Sequence, residues 1–437
     1  MKALKRGTIL LGRNNNDECR IEKFIGGGSQ GDVFSAQYKN SSVAVKWYKK
    51  DTATQVQYDR VRRLISIGPP SPRFLWPIDI VTSKNNNRFG YIMPLLEKRF
   101  ITIPKLLNGA HSDKLTLHSL TTAGFQIADS FLKLHSQGNS YGDISLGNLF
   151  MDAKTGEVKI TDNDNVTVDG DPDFVVFGTP TFMAPEIVRG EAAPTTQTDL
   201  FSLAVLLFYL LYRHHPLDGK RRFSCLCINE DSMRVLYGTN PLYIFDPNDD
   251  SNMPLPGQQD NPLIYQEMYP SFIRDLFERS FTKGLNDPDR GRVRESEWRS
   301  SMIKLRDLIV PCSTCGMENF FTVDTGKTCW KCSHNIEPPA RVNIGGSVVT
   351  LPPGRILYPH HLFSSSRYDF TNPVGQVVKH PQHKNVTGIK NRSSSKWVIE
   401  RNKDLEDIMP GETFRIRSDV IVHFGERDGI FKESGQV

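Results

Sequence analysis

The run Tyr141-Gly142-Asp143-Ile144-Ser145-Leu146-Gly147-Asn148 sets a carboxylate and a carboxamide five residues apart, and the β-like stretch Val158-Lys159-Ile160-Thr161 then delivers Asp162. This constellation suits the movement of phosphate. One carboxylate can orient a hydroxyl and accept its proton, while an amide and a second carboxylate hold a magnesium ion that neutralises phosphate charge. Asp143 is therefore the candidate base, and Asn148 and Asp162 are the candidate magnesium ligands.

Upstream, Phe24-Ile25-Gly26-Gly27-Gly28-Ser29-Gln30-Gly31-Asp32-Val33-Phe34 reads as a strand, a glycine-rich turn and a returning strand, with Gly26, Gly28 and Gly31 in G-x-G-x-x-G spacing ahead of Val33. Without Cβ atoms, the backbone amides of such a turn can approach phosphates closely. A dinucleotide-binding loop shares the spacing but opens a helix. Here Val33-Phe34-Ser35-Ala36-Gln37-Tyr38 continues as strand. The following strand carries Val43-Ala44-Val45-Lys46, a lysine in an apolar run, for which phosphate is the natural partner.

With these motifs the chain resembles the eukaryotic-type Ser/Thr protein kinase superfamily over roughly residues 20 to 308. Further matches follow in the family's order: Gly178-Thr179-Pro180-Thr181-Phe182-Met183 before Ala184-Pro185-Glu186, then Thr198-Asp199-Leu200-Phe201-Ser202-Leu203, and Arg292 six before Trp298. The resemblance implies ATP and magnesium as cofactors and a protein hydroxyl as acceptor. It implies phosphate contacts for Lys46, and a nucleotide site lined by Gly26, Gly28, Gly31, Val33, Ala44, Met93 and Leu95. Met93-Pro94-Leu95-Leu96 would be the hinge that grips adenine. Arg292 would pair with Glu186, and the helix opening at Thr198 would anchor the catalytic loop.

Departures from the family pattern are as informative. Tyr141-Gly142-Asp143 stands where most such kinases have His-Arg-Asp, so a phosphorylated activation loop lacks its usual arginine. Ser145 stands where many have lysine, and Asp162-Asn163-Asp164 replaces Asp-Phe-Gly, so either the phenylalanine switch is unused or the segment is locked. Between Lys46 and Ile67 there is no glutamate; the acids are Asp51 and Asp59. On a helical wheel Gln57 shares a face with Tyr58, Val61, Leu64 and Ile65, while Asp59 points away. Gln57 is the candidate partner of Lys46, the other reading being that it merely borders a core. Two functions stand side by side: a Ser/Thr protein kinase, or a pseudokinase scaffold that binds nucleotide without efficient transfer.

After Pro311 the character changes. Cys312-x-x-Cys315, thirteen intervening residues, then Cys329-x-x-Cys332 has the spacing that gathers four thiolates around tetrahedral zinc. The stretch resembles a zinc ribbon, with a short hairpin through Phe320-Phe321-Thr322-Val323 that metal would help to fold. His334 is left outside the ligand set. From about Pro339, apolar runs near 347–351, 374–378, 396–399, 413–416 and 420–424 alternate with turns and read as a β-sandwich. Its order of strands and turns is similar to forkhead-associated domains, which bind phosphothreonine through an arginine and a serine. Arg355 is the arginine candidate, set against a docking domain without phosphopeptide affinity.

The expected fold class is α+β: a two-lobed kinase domain over 1–310 (N-lobe to about 95, C-lobe from about 96), a zinc ribbon over 311–337 and a forkhead-associated-like β-sandwich over 338–437. The stretch from Arg213 to Gln266 reads as an irregular insertion, with His214, His215, Cys225 and Cys227 structural. The whole combination resembles a bacterial kinase group associated with a metal-dependent protein phosphatase and a von Willebrand factor A-type protein, and the resemblance implies those partners. A net charge of +5 over 437 residues carries no dense basic patch, which argues against nucleic acid. No apolar segment has the length of a signal core or membrane span, so the expectation is a cytoplasmic protein.

Overall fold

The computed structural model describes residues 4–84, 86–110, 115–171, 178–225, 227–322, 327–366, 368–383 and 386–436. They form two compact units, one of residues 1–262 with 276–299, the other of residues 263–275 with 300–437.

Strands that turn apolar side chains to a shared core build the first part of unit one. In β1 (Ile9–Gly12), β2 (Glu18–Gly27), β3 (Gly31–Tyr38) and β4 (Ser41–Tyr48), residues such as Leu10, Cys19, Ile21, Phe34, Ala36, Val43 and Val45 turn to one apolar core. With β5 (Asp79–Ser83) and β6 (Asn86–Pro94) they close into a barrel in the order β1-β2-β3-β4-β6-β5. Helix α1 (Gln55–Ile67) opens on Thr54, whose hydroxyl accepts the Gln57 amide, and buries Val61 and Leu64. It ends at Gly68, where φ is 73°.

The helix Leu117–His135 begins with a Thr116–Ser119 capping box and leads into the Asp143 loop. The helix Thr196–Tyr212 is apolar on all sides and almost wholly buried, which suits a central helix of a globular core. Residues 213–262 differ from the irregular insertion expected. Short helices at Lys220–Phe223 and Glu230–Arg234 and a 3-10 turn at Asp250–Asn252 interrupt them. Buried Asn252 braces them by donating to the Leu217 and Leu242 carbonyls at 2.9 and 2.7 Å. Turn-forming residues conceal such structure because its hydrogen bonds are made by side chains and loops rather than by periodic backbone.

In unit two, Ile309–Pro311 pairs antiparallel with Glu318–Phe320, so the hairpin lies earlier than the expected Phe320–Thr322 segment; Val323 lies outside the described residues. Beyond it stand two antiparallel sheets. The six-stranded one runs Ser347–Thr350, Arg341–Ile344, Asp428–Lys432, Ile421–His423, Trp397–Arg401, Asp404–Ile408. The four-stranded one runs Ile356–Leu357, Gly375–Lys379, Thr387–Asn391, Thr413–Arg415. One apolar cluster, including Val342, Trp397, Val422 and Phe431 from the first and Val377, Ile389 and Phe414 from the second, joins them. Among the described residues no helix is long and apolar enough to cross a membrane.

Candidate active site

Asp199, near the start of the buried helix, fixes the loop that carries Asp143. Its carboxylate accepts the Tyr141 amide at 2.6 Å and the Gly142 amide at 2.9 Å, and faces His135 Nε2 at 3.1 Å. Glu295 meets the other nitrogen of that imidazole. Burial opposes a charge on His135, but the two carboxylates outweigh it and raise its pKa to about 9. Gly142 has φ 74°, so a glycine rather than the usual arginine suits this backbone. The Tyr141 hydroxyl donates to the Thr161 carbonyl and so ties the loop to the Asp162 segment.

Within the loop, Asn148 Nδ2 donates to Asp143 Oδ2 at 3.0 Å and to the Asp143 carbonyl at 2.9 Å, so its side-chain oxygen takes no part in holding Asp143. Asp143 Oδ1 is buried without a well-formed hydrogen bond among the described residues. Burial pushes the Asp143 pKa up to about 6 and nearby Asp162 adds to the rise, against the favourable pull of Asn148, the Thr179 amide and Lys46.

Asp162 lies in the left-handed region (φ 52°, ψ 41°), a conformation that Asp tolerates better than most residues. Asn163 has no exposed surface and donates through Nδ2 to the carbonyls of Leu75 and Ile160, both at 3.0 Å. The residue in the phenylalanine position is thus bolted to backbone. Lys46 Nζ is 3.2 Å from Asp162 Oδ1 and 3.0 Å from Gln30 Oε1, while the Gln30 amide donates to Asn165 Oδ1 at 3.1 Å.

The expected Gln57–Lys46 pairing is corrected here. Gln57 Nε2 donates to the Tyr48 hydroxyl at 2.9 Å and to the Asp164 carbonyl oxygen at 3.2 Å. Lys46 instead meets both oxygens of Asp164, at 2.8 and 2.9 Å. A neutral amide cannot offset the charge of a buried ammonium, whereas a buried carboxylate can. Asp59 points outward, as the wheel predicts, with its side chain 46% exposed beside Arg62.

The glycine-rich turn closes with the Gly28 amide on the Gly31 carbonyl at 2.8 Å. A Cβ at Gly31 would lie 2.7 Å from the Trp47 carbonyl oxygen, so close strand packing requires that glycine, whereas Gly26 borders open space. Val33 sits opposite Lys46 in the ladder and Ala44 opposite Met93, and Ala44 and Met93 join an apolar cluster against which Val33 and Leu95 pack. Four of the expected nucleotide-lining residues, Val33, Ala44, Met93 and Leu95, are therefore gathered beside Lys46. Arg292 grips Glu186 with two nitrogens, at 2.8 and 2.9 Å. His215 accepts the Leu217 amide and meets the Thr181 carbonyl at 2.8 Å, a structural use.

In unit two, the Sγ atoms of Cys312, Cys315, Cys329 and Cys332 lie within 4.8 Å of one another, with Cys312–Cys332 at 3.7 Å and Cys315–Cys329 at 3.6 Å. Four sulfurs about 2.3 Å from a tetrahedral zinc are separated by roughly 3.8 Å, so the group fits that metal. Amides of the first turn lower the Cys312 pKa, burial opposes but turn amides outweigh it at Cys329, and Cys332 is raised despite the His334 amide because its neighbouring sulfurs and burial push it up. His334 accepts the Cys329 amide through its backbone carbonyl. A second cluster, Asp307 with His360 and His361, is arranged differently. His361 Nδ1 accepts the Tyr358 amide, so the ring proton lies on Nε2 and points at Asp307 Oδ1, 3.1 Å away, as a hydrogen bond rather than a metal ligand. Arg355 donates to the carbonyls of Thr350, Arg306 and Ile309. A guanidinium so committed is a brace within this unit, which favours the docking-domain reading over phosphothreonine capture.

Comparison with known proteins agrees with the site. The family model described as Protein kinase domain matches residues 19–283. The chain is 28% identical to rat protein kinase C delta type over 229 residues, 49% of this chain and 32% of that protein. It is 33% identical to mouse ribosomal protein S6 kinase alpha-4 over 125 residues, 27% of this chain and 16% of that one. It is 25% identical to CBL-interacting serine/threonine-protein kinase 13 of Arabidopsis thaliana over 226 residues, 49% of this chain and 42% of that one. The chain thus spans about a third of the length of the first of these relatives.

Proposed function

We propose a reaction from a premise the family match supplies: this chain belongs to the protein kinase domain family. It transfers the γ-phosphate of ATP to a serine or threonine hydroxyl of a protein. The observation that carries this reading is the convergence of two sets of atoms, Lys46 on Asp162 at 3.2 Å and Asn148 on Asp143 at 3.0 Å. Asn148 and Asp162 would hold magnesium, which neutralises phosphate charge when bound. Lys46 contacts the nucleotide phosphates, and Gly26, Gly28 and Gly31, having no Cβ, let the backbone of the turn approach them closely. Val33, Ala44, Met93 and Leu95 line the base. Asp143 orients the acceptor hydroxyl through Oδ1 and takes its proton, while Asn148 holds Oδ2.

The second reading, a nucleotide-binding scaffold with little transfer, is favoured by Gln30, whose side chain spans Lys46 and Asn165 where phosphates would lie. Incubation with labelled ATP and magnesium separates the two. Label incorporated by wild type and absent from Asp143→Ala supports transfer. Nucleotide bound equally by both with label in neither establishes the scaffold.

The remaining assignments belong to the same proposal. Residues 1–310 form the catalytic domain, 311–337 a zinc ribbon held by Cys312, Cys315, Cys329 and Cys332, and 338–437 a β-sandwich of forkhead-associated type that docks partners. A metal-dependent protein phosphatase and a von Willebrand factor A-type protein are the partners the motif combination suggests, in a bacterial cytoplasm.

A further inference from the structure

Lys46 is the buried cation of the site, and a buried ammonium needs a carboxylate to remain charged and in place. In protein kinases that carboxylate ordinarily comes from the helix after the lysine strand. Here α1 carries one acid, Asp59, and it is spent on its own helix: Oδ2 accepts from Gln55 at 2.9 Å and Oδ1 lies 3.3 Å from Arg62. Asp164, with no exposed surface, takes the place. Besides the two contacts with Lys46, its Oδ1 accepts the Tyr91 hydroxyl at 3.0 Å, and its Oδ2 accepts the Tyr48 hydroxyl at 2.5 Å and the Gln57 amide at 3.4 Å. The arrangement follows from strand register. Lys46 and Tyr48 alternate onto one face of β4, and Tyr91 is the partner of Lys46 across the ladder on β6, so three donors aim at one point.

We propose that Asp164 is the positioning carboxylate of Lys46, acting from the segment that also carries the candidate magnesium ligand and releasing α1 from that duty. Lys46 and Asp162 are then organised together by one short turn, Asn163–Asn165, whose first side chain is bonded to the backbone of Leu75 and Ile160. A shift of α1 alone would leave the Lys46 pair intact.

The inference rests on the reading that Lys46 anchors nucleotide phosphates, and nucleotide affinity is therefore measured apart from transfer. Asp164→Asn keeps the shape and removes the charge. In the full chain it should weaken Mg–ATP binding at least tenfold and raise the KM for ATP to match, while Asp59→Asn changes neither. Adding Gln57→Glu to Asp164→Asn returns a carboxylate to the cluster from the helix and should restore affinity to within threefold of wild type, a rescue that a merely structural loss would not allow. A folded Asp164→Asn chain within twofold of wild type in both quantities, or an equal loss in Asp59→Asn, overturns the proposal. If Asp164→Asn does not fold, Tyr48→Phe decides: it keeps the ring and strips one donor from the carboxylate. A threefold or larger rise in KM for ATP is expected, and an unchanged KM in the folded chain overturns the proposal. Wild type that binds Mg–ATP but transfers nothing sinks the transfer reading alone, because the affinities still decide about Asp164. Wild type that binds no nucleotide sinks both.

Discussion

Asp143 carries opposite consequences for chemistry and stability. Its pKa of about 6 leaves it ionised at neutral pH but close enough to accept a proton efficiently. Turnover measured against pH should fall as pH drops through about 6, and a flat profile across that region would exclude Asp143 as the base. Because folding raises this pKa, the group favours the native state most below the ordinary Asp value, and that contribution is lost as pH rises through about 6. Asp143→Asn should therefore lower turnover by about 1,000-fold or more while leaving the melting temperature at pH 8 equal to or above that of wild type. His135 is also raised, so its contribution is full below the ordinary His value and disappears as pH climbs through about 9. Asp143, Asn148, Asp162 and Lys46 are legible from spacing because their chemistry fixes their order. Asp164 was not, since nothing local in Asp162-Asn163-Asp164 tells which acid turns inward. The signal lay elsewhere, in two tyrosines placed by register to face a carboxylate.

Elements with one buried face announce themselves. Strand β3 alternates as a strand with one deeply buried face should, whereas β4 is buried on both faces from Val43 onward and is legible as an apolar run. The strand Asp404–Ile408 is legible in neither way, because four of its five residues are exposed at a sheet edge and acids occupy both faces. Arg341–Ile344 and Asp428–Lys432 are not legible as apolar runs either, because only two inward residues of each short strand are buried. In the β2–β3 hairpin the glycines divide by role. Gly31→Ala should lower unfolding free energy by about 1–3 kcal/mol in urea titrations, since its Cβ meets backbone at 2.7 Å. Gly26→Ala, which meets nothing, should leave stability alone and raise the KM for ATP. Equal stability losses at both sites would contradict this division.

At the scale of the whole chain two compact units are present, one holding the candidate catalytic machinery and the other the cysteine cluster and the paired sheets. The cysteine spacing is legible because metal geometry tolerates little variation, whereas the role of Arg355 is not, since its bonding to three carbonyls depends on chain segments distant in sequence. Elemental analysis of the purified chain should find about one zinc per molecule, and Cys329→Ser together with Cys332→Ser should remove it and destabilise the 309–336 segment in hydrogen exchange. Retention of zinc by that double variant would exclude these ligands. The central claim, phosphoryl transfer by the Asp143–Asn148–Asp162–Lys46 set, is tested most directly by mass spectrometry after incubation with Mg–ATP and a generic protein acceptor. The account predicts phosphoserine or phosphothreonine with wild type and none with Lys46→Met or Asp143→Asn. Bound ATP without any phosphorylated residue, or equal phosphorylation by the variants, would contradict it.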